Sequence, residues 1–204
     1  MKSHWNKRFS EEKFLYGEVA NQFIQDIEPI LNIEGKLLAI AEGEGRNAFH
    51  LAKSAQKARR DLVVDVWDYS DVALEKVNAR KGNLLIETKE VDLTQVEWDE
   101  DHYNAACCVY GHFDQMMQRS IFQGLRKTVK NDGWIFGEVY SQAQIPYASG
   151  GPRDKEYLYS PALFLEIFAN DFLKHFYVGE VMRSEGSLHQ GLCHVIQFAI
   201  QIKK

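Results

Sequence analysis

With 204 residues, 45% of them hydrophobic and 12% aromatic, the chain is long enough to bury a sizeable core without disulfides or a structural metal, and its composition excludes disorder. A net charge of -5 gives no global reason for a polyanionic partner, so nucleic acid is not expected. Three cysteines, Cys107 and Cys108 adjacent in an apolar run and Cys193 remote from them, form neither a disulfide framework nor a paired metal motif and read as buried thiols.

The opening MKSHWNKRFSEEKF lacks a secretory apolar core, and no run of eighteen apolar residues occurs, so a cytoplasmic protein without a membrane partner is expected. Residues 18–31, EVANQFIQDIEPIL, place Val19, Phe23, Ile27 and then Ile30 or Leu31 at helical spacing, with Pro29 unsettling the last turn. KLLAIA then reads as strand, RNAFHLAKSAQKA as helix, DLVVDVW as strand and SDVALEKVNAR as a helix capped by Ser70. NLLIETKEV continues as strand, DLTQVEWDEDH as irregular chain, YNAACCVYG as apolar strand, QMMQRSIFQGLRKTV as helix, KNDG as turn and WIFGEVYS as strand. This alternation predicts an α/β protein with a doubly wound, mostly parallel sheet and helices on both faces.

After residue 141 the texture changes. SQAQIPYASGGPRDKEYLYSP is too long and too aromatic for a plain connector, and 141–160 reads as a lid loop. The helix ALFLEIFAND follows, then two strands near HFYVGEVMR and LCHVIQFAIQI, separated by the polar turn SEGSLHQG and able to pair as a hairpin. Residues 1–204 read as one domain, with 1–34 as an N-terminal helical cover.

The stretch Gly43-Glu44-Gly45-Arg46-Asn47-Ala48 fits G-x-G-x-x-G/A between a strand and a helix, and Asp65 or Asp68 follows about 20 residues on, where a ribose-binding acid is expected. Glu42 and Glu44 would repel a pyrophosphate in a partly dry site by an amount on the order of several kcal/mol. S-adenosylmethionine resolves that conflict: it keeps the nucleoside, replaces phosphates with a sulfonium and an amino group, and retains one carboxylate for helix amides. The alternative is that both acids point to solvent and the glycines only make a tight turn. Asp68, at the carboxyl edge of the second strand, can accept both ribose hydroxyls or instead cap the helix near Ser70. Asp92 after the third strand suits the adenine amino group, with Leu93 as apolar cover.

Together these residues resemble a class I S-adenosylmethionine-dependent methyltransferase, and within that class the TehB-like (tellurite-resistance) and thiopurine methyltransferase-like group. WNKRFSEEKFLYGEVANQFI is similar to that group's N-terminal segment, EGEGRNAFHLA to its glycine motif with the following Arg-Asn, and VDVWDYSDVALEKV to its second strand and helix. EVDLTQVEW is similar to the adenine-edge segment, GGPRDKEYLYSP to a late loop and EGSLHQG to the turn before the last strand. The resemblance implies a Rossmann-like seven-stranded sheet with an antiparallel last strand. It also implies cofactor contacts at Glu42, Gly43, Glu44, Gly45, Arg46, Asn47, Asp68, Tyr69, Asp92, Leu93 and Tyr110. The chain departs from the common pattern at Ala39, where many members carry an acid, at Ala41, where they carry a first glycine, and at Asn104, where they often carry Asp. Glu42 is expected to supply the acidic contact missing at Ala39.

Methyl transfer from a sulfonium needs an in-line nucleophile and a positioned donor, with no covalent enzyme intermediate. His112 in VYGHFD, just after the fourth strand, and His189, in the turn between the closing strands, are candidate bases tuned near neutral pH; for His112 the alternative is a helix-start or packing role. His50 reads as structural. Arg153, in the lid with Tyr147, Tyr157 and Tyr159, can bind an anionic substrate group bidentately or pair with Asp154 or Glu156. Trp5, Arg8, Phe9 and Tyr16 either close over the site or pack against the sheet. No HExxH or paired-Cys motif occurs, so metal dependence is not expected. The expected function is a small-molecule methyltransferase, monomeric or homodimeric, with a sulfur or chalcogen acceptor suggested by the resemblance. The rivals are a nicotinamide-dependent oxidoreductase and a non-catalytic cofactor-binding or regulatory module.

Overall fold

The computed structural model describes residues 2–10, 14–186 and 188–204. Its strands are β1 (Gly35–Ile40), β2 (Leu62–Asp68), β3 (Ile86–Glu90), β4 (Tyr103–Val109), β5 (Val129–Tyr140), β6 (Phe172–Glu185) and β7 (His189–Gln201). Its helices are α1 (Lys2–Phe9), α2 (Gln22–Leu31), α3 (Arg46–Ala58), α4 (Asp71–Arg80), α5 (Gln115–Thr128) and α6 (Pro161–Ile167). The strands form one seven-stranded sheet in the order β3-β2-β1-β4-β5-β7-β6. Every pair from β3 to β5 is parallel, whereas β7 runs antiparallel between β5 and β6. The reason is connection length: a parallel neighbour needs a crossover, while the short turn after Glu185 can only fold β7 back on β6 as a hairpin. The mostly parallel sheet with an antiparallel last strand is therefore the one expected.

Local chemistry sets the helix boundaries. Asn21, Ser70, Asp114 and Ser160 each place a side-chain oxygen on a first-turn N–H, at α2, α4, α5 and α6 respectively, and Pro161 occupies the first turn of α6, where its missing donor costs nothing. The core lies on both faces of the sheet. Phe23, Ile27, Leu51 and Val77 from α2, α3 and α4 cover one face, and Ile121, Phe122, Leu125 and Phe164 from α5 and α6 cover the other. Cys107, Cys108 and Cys193 are buried and free, and burial pushes the Cys108 thiol up to about 12, so all three act as small apolar groups.

Three segments differ from the sequence expectation. The lead-in helix starts at Gln22 rather than residue 18, because Asn21 caps it. KNDG is the bulged start of β5 rather than a turn: Asp132 takes a left-handed φ of 63°, and the register against β4 shifts between Tyr103 and Ala105. His189 is the first residue of β7 rather than a turn residue. Among the described residues no helix is long and apolar enough to cross a membrane.

Candidate functional site

Strand order reverses between β1 and β4, so the loops leaving their carboxyl ends diverge and open a crevice. The loops after β1, β2, β3 and β4, with the N-terminal segment above them, enclose a cavity of about 320 Å³. Two non-glycine residues on its wall hold left-handed backbone, Ala41 at φ 49° after β1 and Tyr110 at φ 52° after β4. Such strained positions persist where the surroundings over-determine them, which is common at functional sites.

The loop after β1 folds on its own acids. Gly45, the residue before α3, has φ 83° and offers no side-chain cap, so the first amides of α3 need another acceptor. Glu42 supplies it, with Oε1 accepting the N–H of Asn47 at 2.7 Å and of Ala48 at 2.9 Å. Burial raises the pKa of Glu42, and the donors from Ala48 and Asn47 oppose that rise. Glu44 is also buried and pairs with Lys76 at 2.6 Å, while its Oε2 has no hydrogen-bond partner. Both acids line the cavity, so the solvent-pointing alternative does not hold. Gly43 takes a left-handed φ of 59°, which favours glycine, and a Cβ there would press on the Phe9 ring of α1 at 3.1 Å.

Asp68 is not the cap of α4 that the sequence offered as one alternative. Its Oδ2 accepts the Gly43 N–H at 2.7 Å and its Oδ1 the Ser70 N–H at 2.8 Å, while Ser70 itself caps α4. Asp68 thus braces the glycine loop against α4 and still faces the cavity, together with Tyr69. Asp92 stands exposed at the rim with Oδ1 turned back on Thr94, and Leu93 lines the wall beside it.

The far side of the cavity is aromatic. Trp5 and Phe9 of α1 stack at 5.7 Å, Trp5 leans on His112 at 5.6 Å, and Tyr16 leans on His189 at 4.9 Å. The cover is docked by Asn6, which donates to Asp71 at 2.7 Å and accepts from Ser70 at 2.7 Å. His112 Nε2 and His189 Nδ1 are buried and find no hydrogen-bond partner among the described residues. Burial, then His189 and Arg8, lower His112 to about 3, so it is neutral near pH 7. Burial also lowers His189, opposed by the Glu185 carboxylate.

Beneath these histidines lies an ionic network absent from the sequence reading. Glu138 of β5 is fully buried and receives Arg183 through a bidentate contact, the Tyr110 hydroxyl, Asn21 Nδ2 at 2.9 Å and Gln197 Nε2 at 2.7 Å. Asn21 also donates to Glu185 at 3.0 Å, and its backbone N–H donates to Asn47 at 2.9 Å. Glu185 contacts Arg46 at 2.7 Å. One network therefore ties α2, β4, β5 and the closing hairpin to the glycine loop. A lone acid inside the apolar strand WIFGEVYS, and Arg183 and Glu185 two apart on β6, were the available signals.

The structure does not bring every expected residue to the cavity. Gly45 shapes the turn from behind the wall, where a Cβ would meet Val77 at 2.8 Å. Arg153 is exposed, and the whole of 141–160 lies off the wall, pinned by Gln144 to Gly150 and to the backbone of His194. Ala39 is buried within β1, and Asn104 accepts the Lys36 N–H at 3.1 Å near the opposite end of the sheet, so neither departure touches the cavity.

No protein-family model matches the sequence, and no curated protein matches it. Solved structures do. A protein concerned with conversion of a disulfide bond into a thioacetal group during echinomycin biosynthesis aligns with a TM-score of 0.75 at 13% identity, over 100% of this chain and 92% of that one. A SAM-dependent methyltransferase from Anabaena variabilis aligns at 0.71 and 13% identity, covering 99% and 93%. TehB from Haemophilus influenzae aligns at 0.69 and 14% identity, covering 99% and 67%. The chain has the class I methyltransferase fold. In that methyltransferase fold the cavity described above lies at the strand-order reversal, where α/β sheets bind ligands.

Proposed function

We propose that the chain is a methyltransferase that uses S-adenosylmethionine to methylate a small molecule. The observation that carries this reading is Glu42: its buried carboxylate occupies the amides at the start of α3, the position where a dinucleotide-binding loop receives phosphate. A pyrophosphate would have to displace a buried acid that is held by two backbone donors and followed by a second acid, Glu44. The nucleoside and cationic groups of such a ligand meet no such conflict, and the unpartnered Glu44 Oε2 favours them, but its one carboxylate goes to Arg46 rather than to the α3 amides expected from the sequence, because Glu42 fills those.

The residues present fit S-adenosylmethionine. Asp68 and Tyr69 would hold the ribose, Leu93 and Asp92 the adenine edge, and Glu44 and Arg46 the amino and carboxylate groups. When bound, the cofactor supplies a sulfonium-linked methyl group that an in-line nucleophile can accept without a covalent enzyme intermediate. Trp5, Phe9, Phe113 and Met117 exclude water from the acceptor end and suit a small, largely apolar acceptor. His112, held neutral, accepts a hydrogen bond from the acceptor and orients it. His189, faced by Glu185, takes the proton that a protonated nucleophile loses. A soft sulfur or chalcogen nucleophile is in keeping with the sequence resemblance to the tellurite-resistance group and with the likeness to the protein concerned with conversion of a disulfide bond into a thioacetal group. The two unpartnered imidazoles favour chemistry over a purely regulatory module.

Calorimetry with S-adenosylmethionine, S-adenosylhomocysteine and the nicotinamide dinucleotides tests this. A ligand at about 100 times its Kd should also stabilise the fold by roughly 2.7 kcal/mol. Binding of the sulfonium ligand and its product, with methylation of a member of a thiol and selenol panel, is expected. Binding of a dinucleotide alone would return the oxidoreductase reading.

A further inference from the structure

We propose that Glu185 is a positioning residue that moves its carboxylate between Arg46 and His189, and so couples filling of the cofactor site to the hydrogen bonding of His189. This rests on the methyltransferase reading above.

Glu185 ends β6 and His189 begins β7, so the hairpin turn sets them i,i+4 apart, and both are buried. The two oxygens of Glu185 are treated differently. Oε1 is committed to Asn21 Nδ2 at 3.0 Å. Oε2 lies 2.7 Å from the Arg46 guanidinium yet forms no aligned hydrogen bond, and 4.0 Å away stands His189 Nδ1, also without a partner. A buried acceptor and a buried donor left open so close together are costly, and a small shift of one carboxylate joins them.

What holds them apart is Arg46. Among the described residues lining the cavity it is the one Arg or Lys, and it stands on the glycine loop. A ligand carboxylate entering there would be drawn to this guanidinium in a charge-assisted pair. Arg46 would then share its charge, Oε2 would turn to the His189 Nδ1–H, and the ring would be fixed with its other nitrogen free to accept a proton.

The remaining groups around His189 do not compete. Arg183 is locked to Glu138, whose oxygens are filled by Tyr110, Asn21 and Gln197; it reaches Glu185 only at Oε1, 3.6 Å away, and leaves Oε2 to Arg46 and His189, while His112 is neutral. Tyr16, Tyr110 and Tyr140 present ring faces and edges to the imidazole. The Arg46 contact is thus the adjustable one, and the proton acceptor is readied by the cofactor.

The test uses the full chain, S-adenosylhomocysteine as probe, calorimetry for binding, and nitrogen-detected NMR for the His189 tautomer and titration midpoint. In the wild type, the probe should raise the His189 midpoint by about one pH unit, as expected for a carboxylate brought into contact. Glu185→Gln should abolish that rise while binding the probe at least as tightly as wild type, because Arg46 is released; its kcat should fall at least tenfold with KM for the methyl donor not raised. Arg46→Met should weaken the probe at least tenfold and fix the His189 Nδ1–H tautomer without any ligand; the tautomer, rather than the midpoint that loss of the Arg46 charge raises by itself, decides the matter even if Glu185→Gln does not fold. Probe binding to the wild type without a His189 shift, or Glu185→Gln losing affinity as Arg46→Met does, overturns the inference alone. No probe binding to the wild type overturns the methyltransferase reading together with it.

Discussion

The Glu42 carboxylate and Asn47 hold each other twice: Oε1 accepts the Asn47 backbone N–H at 2.7 Å and Oε2 its side-chain amide at 3.2 Å. A loop residue therefore caps the helix that follows it and closes the site where that helix would otherwise receive an anion.

Glu42→Ala leaves the N–H groups of Asn47 and Ala48 buried and unpaired, a loss of about 1–3 kcal/mol in stability. S-adenosylhomocysteine affinity should fall with it, and Glu42→Gln, which keeps acceptor oxygen but no charge, should lie between. Urea denaturation and calorimetry read both quantities. Wild-type affinity in Glu42→Ala would contradict the role given to this acid.

Ala41 stands in left-handed backbone at φ 49°, where the related fold commonly has glycine. Relief of that strain is offset in part by the larger entropy of glycine in the unfolded chain, so Ala41→Gly should stabilise the protein by about 0.5–1 kcal/mol. A lower melting temperature in this variant would show that the Ala41 methyl packs usefully on the cavity wall.

Arg183→Met strands Glu138, which has no exposed surface, and should cost about 3–5 kcal/mol. The double variant Glu138→Met with Arg183→Met should cost clearly less than the sum of the singles, since neither charge is then left alone. Additive losses in a denaturation cycle would mean that the pair is not coupled.

His112 has a folded-state pKa near 3 against an ordinary value of 6.5, so below pH 6.5 the unfolded chain binds more protons than the folded one. Stability should therefore fall as pH drops through that window, and it should be fully present above it. Glu185, held near 2 despite burial by His189, Arg46 and Arg183, adds a loss of the same sign below about 4.5. His112→Gln should flatten the slope between pH 6 and 4 by the uptake of about one proton. An unchanged slope would place His112 outside the buried set.

Phe9 covers Gly43 at close range and stacks on Trp5. S-adenosylhomocysteine should slow amide exchange across α1, and Phe9→Ala should remove that protection and weaken the probe by about tenfold, the loss of one well-packed aromatic contact. Protection confined to the glycine loop would leave α1 as packing only.

Much of this protein was legible from local pattern. The exact span of α3, the cap at Ser70, and the apolar runs of β1 and β4 follow from periodicity and side-chain chemistry that act within a few residues. The glycine loop and its two acids could be read as one cluster because they are neighbours in the chain, and Asp68 joins them because β2 lies parallel beside β1. KNDG misled, since its turn chemistry is used inside a strand as a bulge. The ionic network could not be read at all. Asn21, Glu138, Arg183 and Glu185 lie up to 164 positions apart, and only the order of strands in the sheet brings them together. The same holds for the lid: Arg153 has the chemistry of an anion site, but the path of its loop leaves it in solvent. Sequence thus determined the elements and the cavity-lining loop, where the energies are local. Tertiary packing decided which buried charges meet, because a charge in the interior is tolerated only where distant elements deliver its partner.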